Sequence, residues 1–345
     1  MICGDKRQVF VPPELCEIES GQAFLGTLSE KETAEMITYA CNPPYVNAQS
    51  ITGQGLKMLG LTTQASPMEG FGVEISPDMA VVPGRVLRPP SVMYQSGQAR
   101  VADGSWNILG VRFHRAAPLT DFAVLVIADG DRSDFQSKDD PALEAVVRGF
   151  MTKCQKSGMD VSNRLPPLLY TRLPRPNERD HFRSNAISGI EQVIKTLPSK
   201  PKIILVFMSN RDPHIYPGLK KLCDVKLGVA TVCMLMPKVR KERGQDQYYS
   251  NIALKVNTKL GGINHKLDQN SMQWLKNGML VGMDVTHPGL GCPKGTPSIA
   301  AVVASCDGEF LQFPASLRLN GHREEVSFRL TDRIVKRAPY LINSR

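Results

Sequence analysis

DFAVLVIADG, residues 121–130, decides the fold. Its apolar run, Phe122 to Ala128, does not alternate with polar residues, so it suits a strand buried on both faces. Such strands belong to parallel sheets covered by helices on either side. Outward from it the chain keeps the matching rhythm. PALEAVVRGFMTKCQKSG (141–158) has apolar residues at helical spacing and closes on a glycine, PPLLY (166–170) reads as a second strand, and a helix follows around 180–197. KIILVFM (202–208) and VATVCMLM (229–236) are further strands, separated by a helix from Tyr216. The unit closes near Gly261 with NIALKVNTKL (251–260), in which Ile252, Val256 and Leu260 form a core face. Strand alternating with helix predicts an α/β unit with a parallel sheet.

The flanks differ. Residues 1 to about 115 are short apolar runs broken by NPP, RPP and glycines, which predicts an extended linker. Within it SEKETAEMITYA (29–40) carries a capping-box pattern, Ser29 with Glu32, ahead of a helical apolar stripe. After the central unit, GMLVGMDV (278–285) reads as a strand delivering Asp284 into the loop THPGLGCPKGTP. SIAAVVAS (298–305) and EFLQFPASL (309–317) continue it as an antiparallel meander, too few strands to bury both faces. The expectation is a sheet cut short.

With 345 residues and 42% apolar content the chain can bury a large core divided among two or three domains. Lys and Arg number 42 against 33 Asp and Glu, for a net charge of +9, which favours a polyanionic partner. The cysteines at 3, 16, 41, 154, 223, 233, 292 and 306 show no C-x-x-C pair, so reduced thiols in the cytoplasm or nucleus are expected. MICGDKRQVF has no apolar h-region and no run of 18 apolar residues occurs, which argues against secretion and membrane partners.

Open parallel sheets bind ligands at the carboxyl ends of their strands. There SNRDPHI (209–215) leads into IYPGLKKLCD, whose Tyr216 and Lys220 share one helix face. In 251–260 a second stripe, Asn251, Lys255 and Lys259, runs beside the core face, and its two lysines repel by about 0.2–0.5 kcal/mol. If that helix packs alongside, all three lysines converge on one anion; otherwise this is a solvated basic face and a core tyrosine. GLGCPKG (289–295) fits neither phosphate-loop spacing, and His287 and Trp106 read as structural.

Taken together, YPGLKKLCDVKLGVATVCM, NIALKVNTKLGG, VFVPPELCEIESGQ and GMDVTHPG resemble an Argonaute protein of fungal-like type, colinearly from about residue 9 to about 326. The resemblance implies the edge of PAZ and the second linker (1–117), a Rossmann-like parallel-sheet MID domain (118–265), and the opening of an incomplete RNase H-like PIWI sheet (266–345). It implies RNA silencing, with a small guide RNA held by its 5′-monophosphate, a target RNA, and silencing-complex proteins as further partners. By matching position Tyr216 stacks on the first base, Lys220, Lys255 and Lys259 hold the phosphate, and 209–215 inspects the base edge. Where many relatives place a glutamine this chain has Val232, so the Thr231 hydroxyl becomes the substitute donor. Asp284 matches the first metal-binding aspartate of the slicing site and Glu325 its mobile glutamate; the remaining ligands have no counterpart. Mg2+ or Mn2+ is therefore implied only for a completed slicer, with none expected here. The alternatives are a guide-directed endoribonuclease once completed and a truncated, inactive gene product. An enzyme using a free nucleotide would need a glycine fingerprint after 121–130, where ADGDRSD stands.

Overall fold

The computed structural model describes residues 2–3, 7–8, 12–24, 26, 28–61, 69–130, 135–176, 178–241, 243–289 and 292–324. The chain divides into two units, Met1–Val86 and Leu87–Arg345.

In the first unit helix α1, Glu30–Ala40, starts at the predicted capping box. The Ser29 hydroxyl accepts from the Glu32 N–H at 3.3 Å, and the Glu32 carboxylate accepts from the Ser29 N–H at 2.7 Å. Two otherwise orphaned donors are thereby satisfied.

The second unit opens with the short strand β1, Val92–Tyr94, followed by the element decided by 121–130: strand β2, Phe122–Ala128, buried at every position. Helix α2 (Pro141–Lys156), strand β3 (Leu168–Arg172), helix α3 (Ser184–Ile194) and strand β4 (Ile203–Met208) follow. Helix α4 (Ile215–Lys220) continues in wider turns through Lys221–Leu227, and strand β5 (Ala230–Leu235) and helix α5 (Gln245–Lys259) complete the layer. The sheet is parallel with order β3-β2-β4-β5, Val124 facing Leu168 on one side and Leu205 on the other. Strand order therefore reverses between β2 and β4, and the loop after β4 sits at that switch point.

Alternation along each strand builds two cores. Val124, Val126, Leu205, Phe207, Val232 and Met234 pack on α2 and α5, while Leu125, Ile127, Ile204 and Val206 pack on α3 and α4. Helix α5 is fixed by Asn257, which is fully buried. Its Oδ1 accepts from the Ala117 N–H at 2.8 Å and its Nδ2 donates to Asn264 Oδ1 at 2.9 Å, tying the segment entering the sheet to the one leaving it. Asn257→Ala strands the Ala117 donor and is expected to cost about 1–3 kcal/mol, measurable as a shifted urea midpoint. A loss under about 0.5 kcal/mol, as at a surface site, would contradict that.

Strand β1 pairs with β6, Lys266–Leu267, beside a ring cluster. His265 lies 5.5 Å from the rings of Tyr94 and Trp106, and Trp106 Nε1 donates to the Tyr94 hydroxyl at 3.0 Å. Burial pushes the His265 pKa below its ordinary 6.5. Above that value both folded and unfolded chains are neutral there, and stability is fully present; below it the unfolded chain binds the proton first, and stability is lost as pH falls through the folded pKa. The thermal midpoint should drop between about pH 7 and pH 5, and less so in His265→Gln. Equal drops in both proteins would remove His265 from the account.

The last sheet is the predicted antiparallel meander: β7 (Val281–Thr286), β8 (Ser298–Ala304) and β9 (Ala315–Asn320), in that order. The third strand starts later than the expected 309–317. Asp307 accepts from the N–H groups of Glu309, Leu311 and Gln312, curling this segment into a turn, and Pro314 has no N–H for a ladder. Asp284, Ala301 and Leu317 lie opposite one another, on the face where Ile299 and Leu319 are exposed.

Candidate nucleic-acid interface

Strand β5 is an edge strand, so its outward backbone groups need partners from outside the ladder. At Thr231 lysines supply them. Lys220 Nζ, from α4, donates to Thr231 Oγ1 at 2.7 Å, and Lys259 Nζ, from the last turn of α5, donates to the Thr231 carbonyl at 2.9 Å. Two helices on opposite sides of the sheet thus bring two ammonium groups to one residue. Thr231 itself is 1% exposed and its hydroxyl accepts from Lys220, so its oxygens serve the lysines from beneath, and it is not placed as the direct phosphate donor expected from the sequence.

The electrostatics follow from this crowding. Lys259 is held below the ordinary lysine pKa by burial and then by the charge of Lys220. Burial also pulls Lys220 down, but Asp224, 3.3 Å away and one turn on, outweighs it and leaves the net shift upward. Two cations facing one partly exposed carboxylate leave the pair positive. Lys255, one turn before Lys259, is exposed, and no hydrogen bond or ion pair ties it among the described residues.

Beside the lysines lies a cavity of about 380 Å³, lined by Asn210, Arg211, Asp212 and Pro213 from the loop after β4, Tyr216 and Pro217 from α4, and Cys233 to Leu235 from β5. Tyr216 is 49% exposed and lines this space instead of entering the core. Cys233 joins the two regions: it lines the cavity, and its thiol, raised in pKa mainly by burial, feels Lys220 and Lys259. The loop residues of this wall are held by Asp212, whose Oδ1 accepts from the N–H groups of His214 and Ile215. A second cavity, about 270 Å³, lies at the opposite end of the sheet and contains none of the predicted site residues.

The structure therefore brings together Tyr216, Lys220, Thr231 and Lys259, with Lys255 on the adjacent turn. Asp284 stands apart, exposed on β7, its Oδ1 accepting from the Val285 N–H at 2.9 Å. Glu325 lies outside the described residues. Among the described residues no group of three or more His, Cys, Asp or Glu gathers to hold a metal ion, so these residues do not by themselves fit a divalent cation. Sequence reasoning missed Asp224, although its four-residue offset from Lys220 is an ion-pair spacing.

The Piwi domain model matches residues 203–340 and the Argonaute linker 2 domain model residues 46–94. "Protein argonaute" of Schizosaccharomyces pombe is 27% identical over 335 residues, 96% of this chain and 38% of that protein. "Protein argonaute 2" of Oryza sativa subsp. japonica is 30% identical over 344 residues, 94% of this chain and 32% of its own length. The chain thus spans about a third of the curated relatives it matches. Among solved structures, Kluyveromyces polysporus Argonaute with a guide RNA superposes with a TM-score of 0.73 at 22% identity, over 98% of this chain and 40% of that one. The N. crassa QDE-2 AGO MID-PIWI domains give 0.53 at 25%, over 68% and 61%. The parallel sheet is a Rossmann-like MID fold and the meander belongs to an RNase H-like PIWI fold. By linker 2, by Piwi domain and by relatives aligned along nearly its whole length, this chain belongs to the Argonaute family.

Proposed function

We propose that the chain acts in RNA-guided silencing by holding the 5′-monophosphate end of a small guide RNA. The observation that carries this reading is the meeting of Lys220 and Lys259 at Thr231, beside a cavity that exposes Tyr216. A phosphate in front of the two ammonium groups takes charge-assisted hydrogen bonds from both, and its negative charge offsets the Lys220 repulsion that adds to burial in depressing Lys259. Lys255 adds a third cation from the adjacent turn. Thr231 positions the lysines through its hydroxyl and carbonyl. Tyr216 offers a face on which the first base stacks, worth about 1–3 kcal/mol and open to any base. The loop 209–215 forms the opposite wall, where the base edge is inspected. The K. polysporus Argonaute, solved with a guide RNA, lends support by fold alone.

In a longer protein Asp284 would contribute one carboxylate to a slicing site acting on a paired target RNA, with Glu325 a further contributor. Such chemistry needs several carboxylates converging on ions about 3.5–4 Å apart. The binding reading is tested by titrating the full chain with one RNA carrying either a 5′-phosphate or a 5′-hydroxyl. Tighter binding of the phosphorylated form is expected; equal affinity would return the lysines to an ordinary basic surface.

A further inference from the structure

The loop that forms the cavity wall is held from behind by a buried arginine. Arg183 is 3% exposed and has left-handed backbone, φ 57°, at the start of α3. Its Nη2 meets Asp129 Oδ1 at 2.6 Å, where β2 ends, and its Nη1 lies 3.4 Å from Asp212 Oδ2, inside the loop. Asp212 is the residue whose other oxygen accepts from the N–H groups of His214 and Ile215. Asn210, also in the loop, donates to the second oxygen of Asp129 at 3.2 Å. The same corner grips the loop through rings: His181 and Phe182 lie 5.4 Å and 5.7 Å from the His214 ring.

We propose that Arg183, clamped between Asp129 and Asp212, is the positioning residue that fixes the loop 209–215 for discrimination of the first base. This rests on the guide-binding reading. Asn210, Arg211, Asp212 and Pro213 face the cavity, so the conformation Arg183 imposes sets which donors and acceptors of the wall meet the base edge. A flexible wall can adapt to any base, whereas a fixed one leaves the wrong base with unpaired polar groups and rejects it. One guanidinium facing two carboxylates suits this role: Nη2 hydrogen-bonds Asp129, while Nη1, which makes no hydrogen bond, faces Asp212 as an ion-pair partner, and its planar fork holds that charge in a fixed place where a lysine ammonium offers only a mobile point charge. The bridge joins the end of β2 to the loop after β4, across the point where strand order reverses. Its effect therefore falls on the wall and not on the lysine pair at the sheet edge.

The test uses four 5′-phosphorylated RNAs differing only in the first base, and a 5′-hydroxyl control, titrated into the full chain and into Arg183→Lys and Asp129→Asn. The native chain should separate its tightest and weakest first base by about tenfold or more. Both variants should compress that ratio by at least about threefold while their phosphate-to-hydroxyl ratio stays within about twofold of native. Amide exchange at His214 and Ile215 should speed up in both. Native indifference to the first base overturns the proposal. So does native discrimination retained in both variants. A phosphate ratio lost in parallel with base discrimination would make Arg183 a general stabiliser and equally sink it. A native chain that ignores the 5′-phosphate instead overturns the guide-binding reading itself. If Arg183→Lys does not fold, Asp129→Asn decides, since it keeps a side chain of the same shape and removes only the charge facing the guanidinium.

Discussion

Lys220→Ala and Lys255→Ala are each expected to weaken binding of a 5′-phosphorylated RNA by roughly tenfold or more, and to leave binding of the 5′-hydroxyl form nearly unchanged. The magnitude follows from the contact type. A hydrogen bond to a charged group contributes about 1.5–3 kcal/mol, and each 1.4 kcal/mol is tenfold in affinity. A solvated basic surface would lose well under about 1 kcal/mol and would lose it for both RNA ends. The two lysines should also differ. Lys220 already pairs with Asp224, so its removal leaves that carboxylate near the phosphate and adds repulsion to the lost contact. Lys255 has no such partner among the described residues, and its removal subtracts a contact only. Tyr216→Ala should weaken both RNA forms alike, since stacking does not sense the phosphate. If both lysine variants bind the two RNA ends with native affinities, the phosphate site is excluded.

The layers were legible in the sequence because the apolar pattern is strong. The run from Phe122 to Ala128 is buried at every position, and the helical spacing of Ile252 and Val256 does place both in the core. The lysine stripe beside them was legible for the same reason, as helical periodicity fixes both faces at once. What the sequence could not show is how distant segments meet. The single-residue convergence of Lys220 and Lys259 depends on β5 being an edge strand, which follows from sheet order and not from composition. Arg183 stands in a polar run at the start of the helix expected around 180–197, with nothing local to mark it as buried, yet it is buried because Asp129 and Asp212, 54 and 29 positions away by numbering, face it. The shift of β9 has a local origin: the alternating apolar residues of EFLQFPASL matched a strand, but the Asp307 turn and Pro314 overrode them. Burial of Asn257, lying between Lys255 and Lys259, was masked by the exposed lysines on either side.

Phe207→Ala is expected to cost about 3–5 kcal/mol of stability. Phe207 is 1% exposed one residue before the end of β4, facing Val126 on one neighbouring strand and Met234 on the other. Its ring meets Phe135 edge-on at 6.1 Å. Truncation removes that contact and leaves a cavity beneath α2 and α5, which close packing on every side prevents from collapsing. Phe207→Leu keeps most of the volume and should cost less, roughly 1–2 kcal/mol. The consequence reaches the binding site, because β4 carries the loop 209–215 at its end and pairs with β5, the strand that holds Thr231. In urea, loss of discrimination between phosphorylated and hydroxyl RNA should therefore follow the unfolding of this sheet, with both midpoints moving together in Phe207→Ala. A stability loss under about 1 kcal/mol would mean the site behaves as surface. Midpoints that separate, with phosphate recognition persisting after the sheet has melted, would detach the lysine pair from the sheet edge that is here held to assemble it.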